Sequence, residues 1–418
     1  MRHVVVMVTT SYPRFPGDLT GTFMEPIARG VAARGHEVHV VAPWHPLITR
    51  ADVEQGIHFH FFRYAPVAGL NVFGYAAALE ADERLRPSAL LMTPAAVAAG
   101  CLATARVVRR TAATIVHGHW VVPGGFIAAH AVPRSTPLVV SLHGSDLFVA
   151  ERHRLIRRAA GGVFRRAARV TACSLDLARR AIAIGANPDS TEVLPYGVDT
   201  TRFAPDKTVR QRVRADLGVA DDVPVILSAG RLVRKKGFEF LIDAAGLIMR
   251  QRPEAIVLIA GSGDLDEELR RKTSELGPPG HVRFLGAVSQ DAIPGLLAAA
   301  DVAVVPSVHD AAGNVDGLPN IVMEALASGT ALVATEVGGI GAVVRDRETG
   351  LIVPERDGAA LARAIMALLD DRDARLALGR AARTDVCLRH TWERFAERLE
   401  QIYDAVRNVA HARPVTVC

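Results

Sequence analysis

The stretch VPVILSAGRLVRKKG (223–237) is an apolar run that closes on Ser-Ala-Gly and then delivers an arginine and, five residues later, a lysine. A short apolar run bounded by glycine reads as a buried strand. Ligands of open α/β sheets bind beyond the carboxyl ends of the strands. Gly230, Arg231 and Lys236 therefore stand where a diphosphate could be held, and two cations there would stabilise the charge growing on a departing nucleotide diphosphate. Taken alone, one Arg and one Lys are more often surface charges that answer acidic neighbours.

Working outward, AIVLIAG (255–261), VRFLG (282–286), DVAVVPS (301–307), TALVAT (330–335) and GLIVP (350–354) repeat the strand pattern, most of them preceded by a helix, and predict a Rossmann-like sheet. The first half predicts another. HVVVMVTT (3–10), a helix over about 22–34 ending at Gly35, and EVHVVAP (37–43) form one βαβ unit, followed by TIVHGH (114–119), PLVVSLHG (137–144) and RVTACS (169–174). The Pro-, Gly- and charge-rich passage from Leu194 to about Val223 carries the boundary, giving domains 1–204 and 205–390. Thr391 can cap a last helix, 391–410, whose Trp392, Phe395, Leu399 and Tyr403 form one apolar stripe.

A second segment, DGLPNIVMEALASG (316–329), reads as a tight turn, a short helix and the start of a strand. Asp316, Gly317, Leu318, Pro319 and Asn320 would lie at the helix N-terminus, whose amides and positive dipole end attract phosphate. Glu324, inside the helix, could accept two hydrogen bonds from a ribose diol, and Asp316 could grip hydroxyls of a transferred sugar. Two acids at this spacing are, by themselves, more often structural.

Together these segments resemble glycosyltransferase family 4, whose signature is Gly-Arg-Leu before a lysine plus two acids separated by seven residues. The resemblance extends to SYPRFPGDLTGTF (11–23), RGHEVHVV (34–41), LVVSLHGSD (138–146) and VLPYGVDTTRFAP (193–205). It implies an α/β protein of GT-B fold, two Rossmann-like domains facing each other across a cleft, with the last helix crossing back to the N-terminal domain. It also implies a hexosyltransferase that retains anomeric configuration and works without a cofactor or metal, its donor being a nucleotide diphosphate sugar and its acceptor a glycan or lipid-linked glycan.

By the resemblance, Arg231 and Lys236 meet the diphosphate, Glu324 the ribose, Asp316 with the amides after it the donor sugar, and His143 the sugar from the other domain. Gly17 and Gly21 correspond to the family's glycine-bearing loop, and Gly261 and Gly263 of AGSGD (260–264) with Val288 of LGAV (285–288) to loops near the nucleotide. Two positions depart from the pattern: Asp316 where Glu is usual, and Tyr196 where Asn is commoner. No unambiguous carboxylate nucleophile is visible, which points to front-face displacement with the leaving phosphate assisting deprotonation of the acceptor. Epimerisation or phosphorolysis on the same fold, and a noncatalytic nucleotide-sugar-binding homologue, are the competing readings.

Composition narrows the surroundings. Hydrophobic residues make up 50% and charged residues 22% of 418 positions, without low-complexity segments, which excludes disorder and suits two cores. Residues 1–204 hold 22 Arg and no Lys against 14 acids, or +8, leaving −3 of the chain's +5 for the remainder. Between Glu151 and Arg169 seven arginines face one glutamate, a segment open to two readings, a solvated helix face or a peripheral contact with anionic membrane; Ala159, Ala160, Val163, Phe164 and Ala167 could add shallow insertion or equally well pack the helix on its own sheet. No nucleic-acid partner is expected.

Pro87–Ala105 carries no charge over 19 residues, near the roughly 20 of a membrane span, but Pro94 and Gly100 favour a buried helix. Cys101, Cys173, Cys387 and Cys418 share no metal-ligand spacing and fit a reduced, cytoplasmic setting, with the inner membrane face as the place of any peripheral contact. His117 and His119 alternate on one strand without a third metal ligand nearby, and His309 with Asp310 reads as a polar loop and not an acid–base dyad.

Overall fold

The computed structural model describes residues 1–412 except 19, 76–78, 81–83, 86 and 277–279, so Cys418 lies outside it. Two compact units emerge: Met1–Leu194 with the segment from Trp392 onward, and Pro195–Thr391.

In the first unit, strands β1 (Val4–Val8), β2 (Glu37–Pro43), β3 (Val53–Glu54) and β4 (Ile57–Phe62) are followed by a short hairpin of β5 (Leu79–Glu80) and β6 (Arg84–Leu85). The strands β7 (Ile115–His119), β8 (Leu138–Leu142), β9 (Arg169–Ala172) and β10 (Thr191–Val193) come after it. The main sheet runs β10-β9-β8-β7-β1-β2-β4-β3 and is parallel except for β3 against β4. Its helices are α1 (Met24–Ala33), α2 (Pro87–Thr111), α3 (Phe126–Ala131), α4 (Ser145–Arg152), α5 (Arg154–Arg166) and α6 (Leu175–Ile184).

The strand residues Val5–Val8 and Leu138–Val140 are almost wholly buried, as helices on both faces of a parallel sheet require. The strand β4, IHFHFF, is not among the apolar runs named above; it alternates apolar and polar residues, as a half-buried strand next to the sheet edge does.

The second unit follows with α7 (Lys207–Asp216), β11 (Val225–Ala229), α8 (Phe238–Gln251), β12 (Ile256–Ala260), α9 (Asp266–Ser274) and β13 (Val282–Gly286). It continues through α10 (Ile293–Ala299), β14 (Val302–Val305), α11 (Asn320–Ala327), β15 (Ala331–Thr335), α12 (Ile340–Val343), β16 (Leu351–Val353), α13 (Gly358–Asp370) and α14 (Arg372–Arg389). Its sheet, β13-β12-β11-β14-β15-β16, is parallel throughout.

The units divide at Leu194/Pro195 and not at 204/205. Residues 195–223 are fastened to the second unit: the Val198 amide donates to the His390 carbonyl at 2.9 Å, and Arg383 donates to the carbonyls of Phe203 and Thr200. Arg214 is 1% exposed, donating to Asp301 at 2.7 Å and to the carbonyls of Ala299, Ala220 and Val223. A buried guanidinium is tolerated only with its donors so occupied.

The last helix, α15 (Trp392–Ala412), belongs to the first unit. Gly30 of α1 lets it approach closely, since a Cβ there would lie 2.9 Å from Cβ of Ala396. Tyr403, fully buried, bonds to His117 Nδ1 at 2.7 Å, and Asp404 meets His3 at 3.0 Å.

The expectation of a buried helix over 87–105 needs correction. One face of α2 is covered, through Ala89, Ala96, Thr104, Val107 and Val108, but Leu91 and Leu102 are 78% and 67% exposed. Among the described residues it is one helix long and apolar enough to cross a membrane.

Candidate active site

Of the predicted donor residues of the second unit, Gly230 and Arg231 follow β11, Gly261 and Gly263 follow β12, and Val288 follows β13. The Gly230 amide donates to the Ala260 carbonyl at 2.9 Å, and that of Gly261 to the Gly286 carbonyl at 2.8 Å, so the three strand ends step side by side. Gly261 has φ +147°, and a Cβ there would lie 1.8 Å from the Gly230 oxygen, a contact only glycine permits. Gly263 lies against Leu232 in the same way. Val288 is half-buried in the loop after β13.

Lys236 ties the cluster together. Its side chain passes Gly230, and its Nζ lies 2.6 Å from Asp316 Oδ2. Lys235, a site residue that the motif spacing does not single out, reaches Asp316 Oδ1 at 3.4 Å. Burial by itself would raise the Asp316 pKa, but Lys236, Lys235 and Arg231 outweigh it and hold the carboxyl well below its usual range. Asp316 is thus the counter-ion of the two lysines.

After Asp316 come the buried residues Gly317, Leu318 and Pro319, and Asn320 opens α11, whose N-terminus has no side-chain cap. Its first-turn amides are the ones a phosphate would use. Gly338 backs this turn: it has φ +58°, and a Cβ would stand 2.0 Å from the Asp316 carbonyl oxygen. The sequence held no sign of that contact beyond a Gly-Gly pair. Glu324, one turn into α11, has its pKa pushed up to about 7 by burial, against the pull of Arg202 and Lys236.

The remaining predicted residues lie in the first unit. Gly21 packs against Ser11, and Gly17 opens onto space. Between them Asp18 accepts from Arg14 Nε at 2.6 Å and Nη2 at 2.8 Å; burial alone would raise its pKa, and the bonds from Arg14 bring it down to about 2. Phe23, just beyond Gly21, stacks on His143 with ring centroids 4.7 Å apart, and Trp120 meets the same ring at 4.7 Å. Burial, then the nearby His117, lower the His143 pKa to about 3. Asp146 supports this corner, accepting from the amides of Val121 at 2.6 Å and Gly144 at 3.1 Å; burial raises its pKa to about 6.

Both ring nitrogens of His117 are engaged, by Tyr403 and by Ser141 Oγ at 2.7 Å, and among the described residues no group of three metal-ligating side chains forms. His309 pairs with Glu355 at 3.0 Å while Asp310 accepts from the amides of Ala312 and Asn314, so the two neighbours face different partners.

The family pattern "Glycosyl transferase 4-like domain" matches residues 20–197 and "Glycosyl transferases group 1" matches 209–385. A GDP-mannose-dependent alpha-(1-6)-phosphatidylinositol monomannoside mannosyltransferase of Mycobacterium tuberculosis is 29% identical, covering 94% of this chain and 96% of its own. A D-inositol 3-phosphate glycosyltransferase of Geodermatophilus obscurus is 34% identical, covering 73% and 70%. Among solved structures, Anabaena HepE in complex with UDP superposes with TM-score 0.75 at 19% identity, covering 96% of this chain and 100% of its own. Sucrose-phosphate synthase of Thermosynechococcus elongatus does so with TM-score 0.76 at 20%, covering 97% and 100%, likenesses that concern the fold.

The two Rossmann-like units have the GT-B fold, and the two family matches with the curated relatives define the class as nucleotide-sugar glycosyltransferases. Within that class the chain belongs to glycosyltransferase family 4.

Proposed function

We propose that this enzyme moves a hexose, with retention of configuration and without a metal, from a nucleotide diphosphate sugar to a lipid-linked or glycan acceptor. The observation that carries the reading is the convergence of Arg231, Lys235 and Lys236 on Asp316 beside the uncapped start of α11. In this reading the diphosphate displaces Asp316 from the lysines and takes the amides of Gly317, Leu318 and Asn320, and Glu324 holds the ribose diol. Gly230, Gly261, Gly263 and Val288 border the nucleotide, and the freed Asp316 turns to the sugar. Such a set of positive groups neutralises a leaving diphosphate without a divalent ion. His143 offers a neutral imidazole to the transferred sugar, and Gly17 and Gly21 shape the acceptor-side loop. With no carboxylate nucleophile assigned, the leaving phosphate would take the acceptor proton on the same face.

The named activities of the relatives, mannosyl transfer to phosphatidylinositol monomannoside among them, favour a lipid-linked acceptor, and with it we place the enzyme in the cytoplasm at the inner membrane face. The basic segment supports this with Arg152, Arg154, Arg157 and Arg158, all exposed, around Leu155 at 77% exposure. Of the two uses open to Ala160, Val163 and Phe164, shallow insertion or packing of the helix on its own sheet, burial supports packing: all three lie in the unit's own core.

The test is a panel of GDP-, UDP- and ADP-sugars with glycolipid acceptors, with product and free nucleotide quantified and the product's anomeric configuration assigned, with and without excess chelator. One donor should support chelator-insensitive, retaining transfer. Transfer lost in chelator and restored by magnesium, or an inverted product, would overturn the corresponding part of the reading.

A further inference from the structure

We propose that His119 is a positioning residue that fixes the tautomer of His143: it donates Nδ1–H to His143 Nε2, leaving His143 with its proton on Nδ1. The inference rests on the reading of His143 as the sugar-facing side chain of the first unit.

His119 is fully buried at the end of β7, and its Nδ1 lies 3.1 Å from Nε2 of His143. The ring planes differ by 11° with centroids 5.3 Å apart, longer than the N···N distance by about two ring radii. The imidazoles therefore lie end to end in nearly one plane, the arrangement in which an N–H aims along the partner's lone pair. Both rings are neutral at ordinary pH, because burial depresses both pKa values, so one must donate and the other accept.

The far nitrogen of His119 decides which. Its Nε2 is buried with no hydrogen-bond partner among the described residues. A proton there would be an orphaned buried N–H, whereas an unused lone pair at the same place costs less. The proton of His119 accordingly sits on Nδ1.

His117 keeps this arrangement from turning. Its ring lies 4.1 Å from that of His119, and it is anchored at both nitrogens, by Tyr403 of α15 and by Ser141, which is itself bonded to Thr171 at 2.6 Å. The lone pair of His143 Nε2 is consumed by His119, so His143 meets the sugar as a neutral ring of fixed tautomer and orientation and not as a base.

Substitutions at His119 separate this role from packing. An Asn amide nitrogen falls near the position of Nδ1, a Gln amide near that of Nε2, and Leu has neither. His119→Gln and His119→Leu should lower kcat by roughly tenfold or more at unchanged donor KM, and His119→Asn should restore it to within about threefold of wild type. A packing role predicts the reverse order, since Asn leaves the largest cavity, and that order would overturn the proposal.

A second measurement needs no His119 variant. In ¹⁵N-histidine-labelled protein, with the His143 signals assigned by their loss in His143→Asn, Nδ1 should be protonated and Nε2 pyridine-like. A proton on Nε2 refutes the inference even if His143→Asn abolishes transfer. Full activity of His143→Asn refutes instead the reading of His143 on which the functional half stands, whatever tautomer the spectrum shows.

Discussion

If Glu324 holds the ribose diol as proposed, donor binding should depend on pH in a direction set by the burial of its carboxyl. Its pKa in the free protein is pushed up to about 7 by burial, so below that pH the carboxyl is mostly neutral. Accepting both hydroxyls of a ribose requires the carboxylate, so binding releases a proton at low pH and none at high pH. One pKa unit is worth about 1.4 kcal/mol, and between pH 8 and pH 6 the ionised fraction falls from near complete to about one part in ten, so donor affinity should fall about tenfold. Affinity rises with pH and levels off above about 7.

Calorimetric titration of GDP-mannose or UDP-glucose, whichever the panel identifies, is the assay, because a nucleotide-sugar diphosphate has no ionisation of its own in this window. Buffers of different ionisation enthalpy should report close to one proton released at pH 6 and nearly none at pH 8. Glu324→Gln should bind more weakly and without the pH slope. An affinity that is flat from pH 6 to 8 in the wild type, or the same slope in Glu324→Gln, would remove Glu324 from the ribose.

Lys236→Ala leaves Asp316 with Lys235 as its near cation and should cost roughly 100-fold in kcat/KM, about 2.7 kcal/mol, while Asp316→Glu should be far milder than Asp316→Ala because the ion pair survives. Wild-type rates for Lys236→Ala, or equal harm from both Asp316 changes, would contradict this. Gly338→Ala forces a Cβ into the Asp316 carbonyl at a positive φ, and should reduce stability by roughly 1–3 kcal/mol and donor use by more than tenfold, checked by thermal melting and kinetics. Retained kinetics would show that the turn is not needed. Sedimentation with anionic vesicles should bind the protein at low salt, weakly at high salt, and less after Arg154→Glu with Arg157→Glu, each arginine contributing about 1 kcal/mol; binding indifferent to lipid charge would refute the role of α5.

The elements and the motif residues could be read from sequence because both are local. Burial on two faces writes a parallel strand as an apolar run, so Val225–Ala229 and Ile256–Ala260 announce themselves, and the cations after β11 and the acids around α11 follow at fixed short spacings. What only the tertiary structure decided joins residues far apart: Lys235 with Asp316, Gly338 beneath the Asp316 turn, Arg214 with Asp301, and Tyr403 with His117 across 286 positions. Nothing in the neighbourhood of either partner records such a pairing. The residue chemistry at each end admits many partners, and the packing of whole elements chooses among them. For the same reason α2 was legible as a helix but not as half-exposed, and residues 195–204 as irregular chain but not as part of the second unit: periodicity reports the conformation of a segment, whereas what covers its faces is settled by the rest of the molecule.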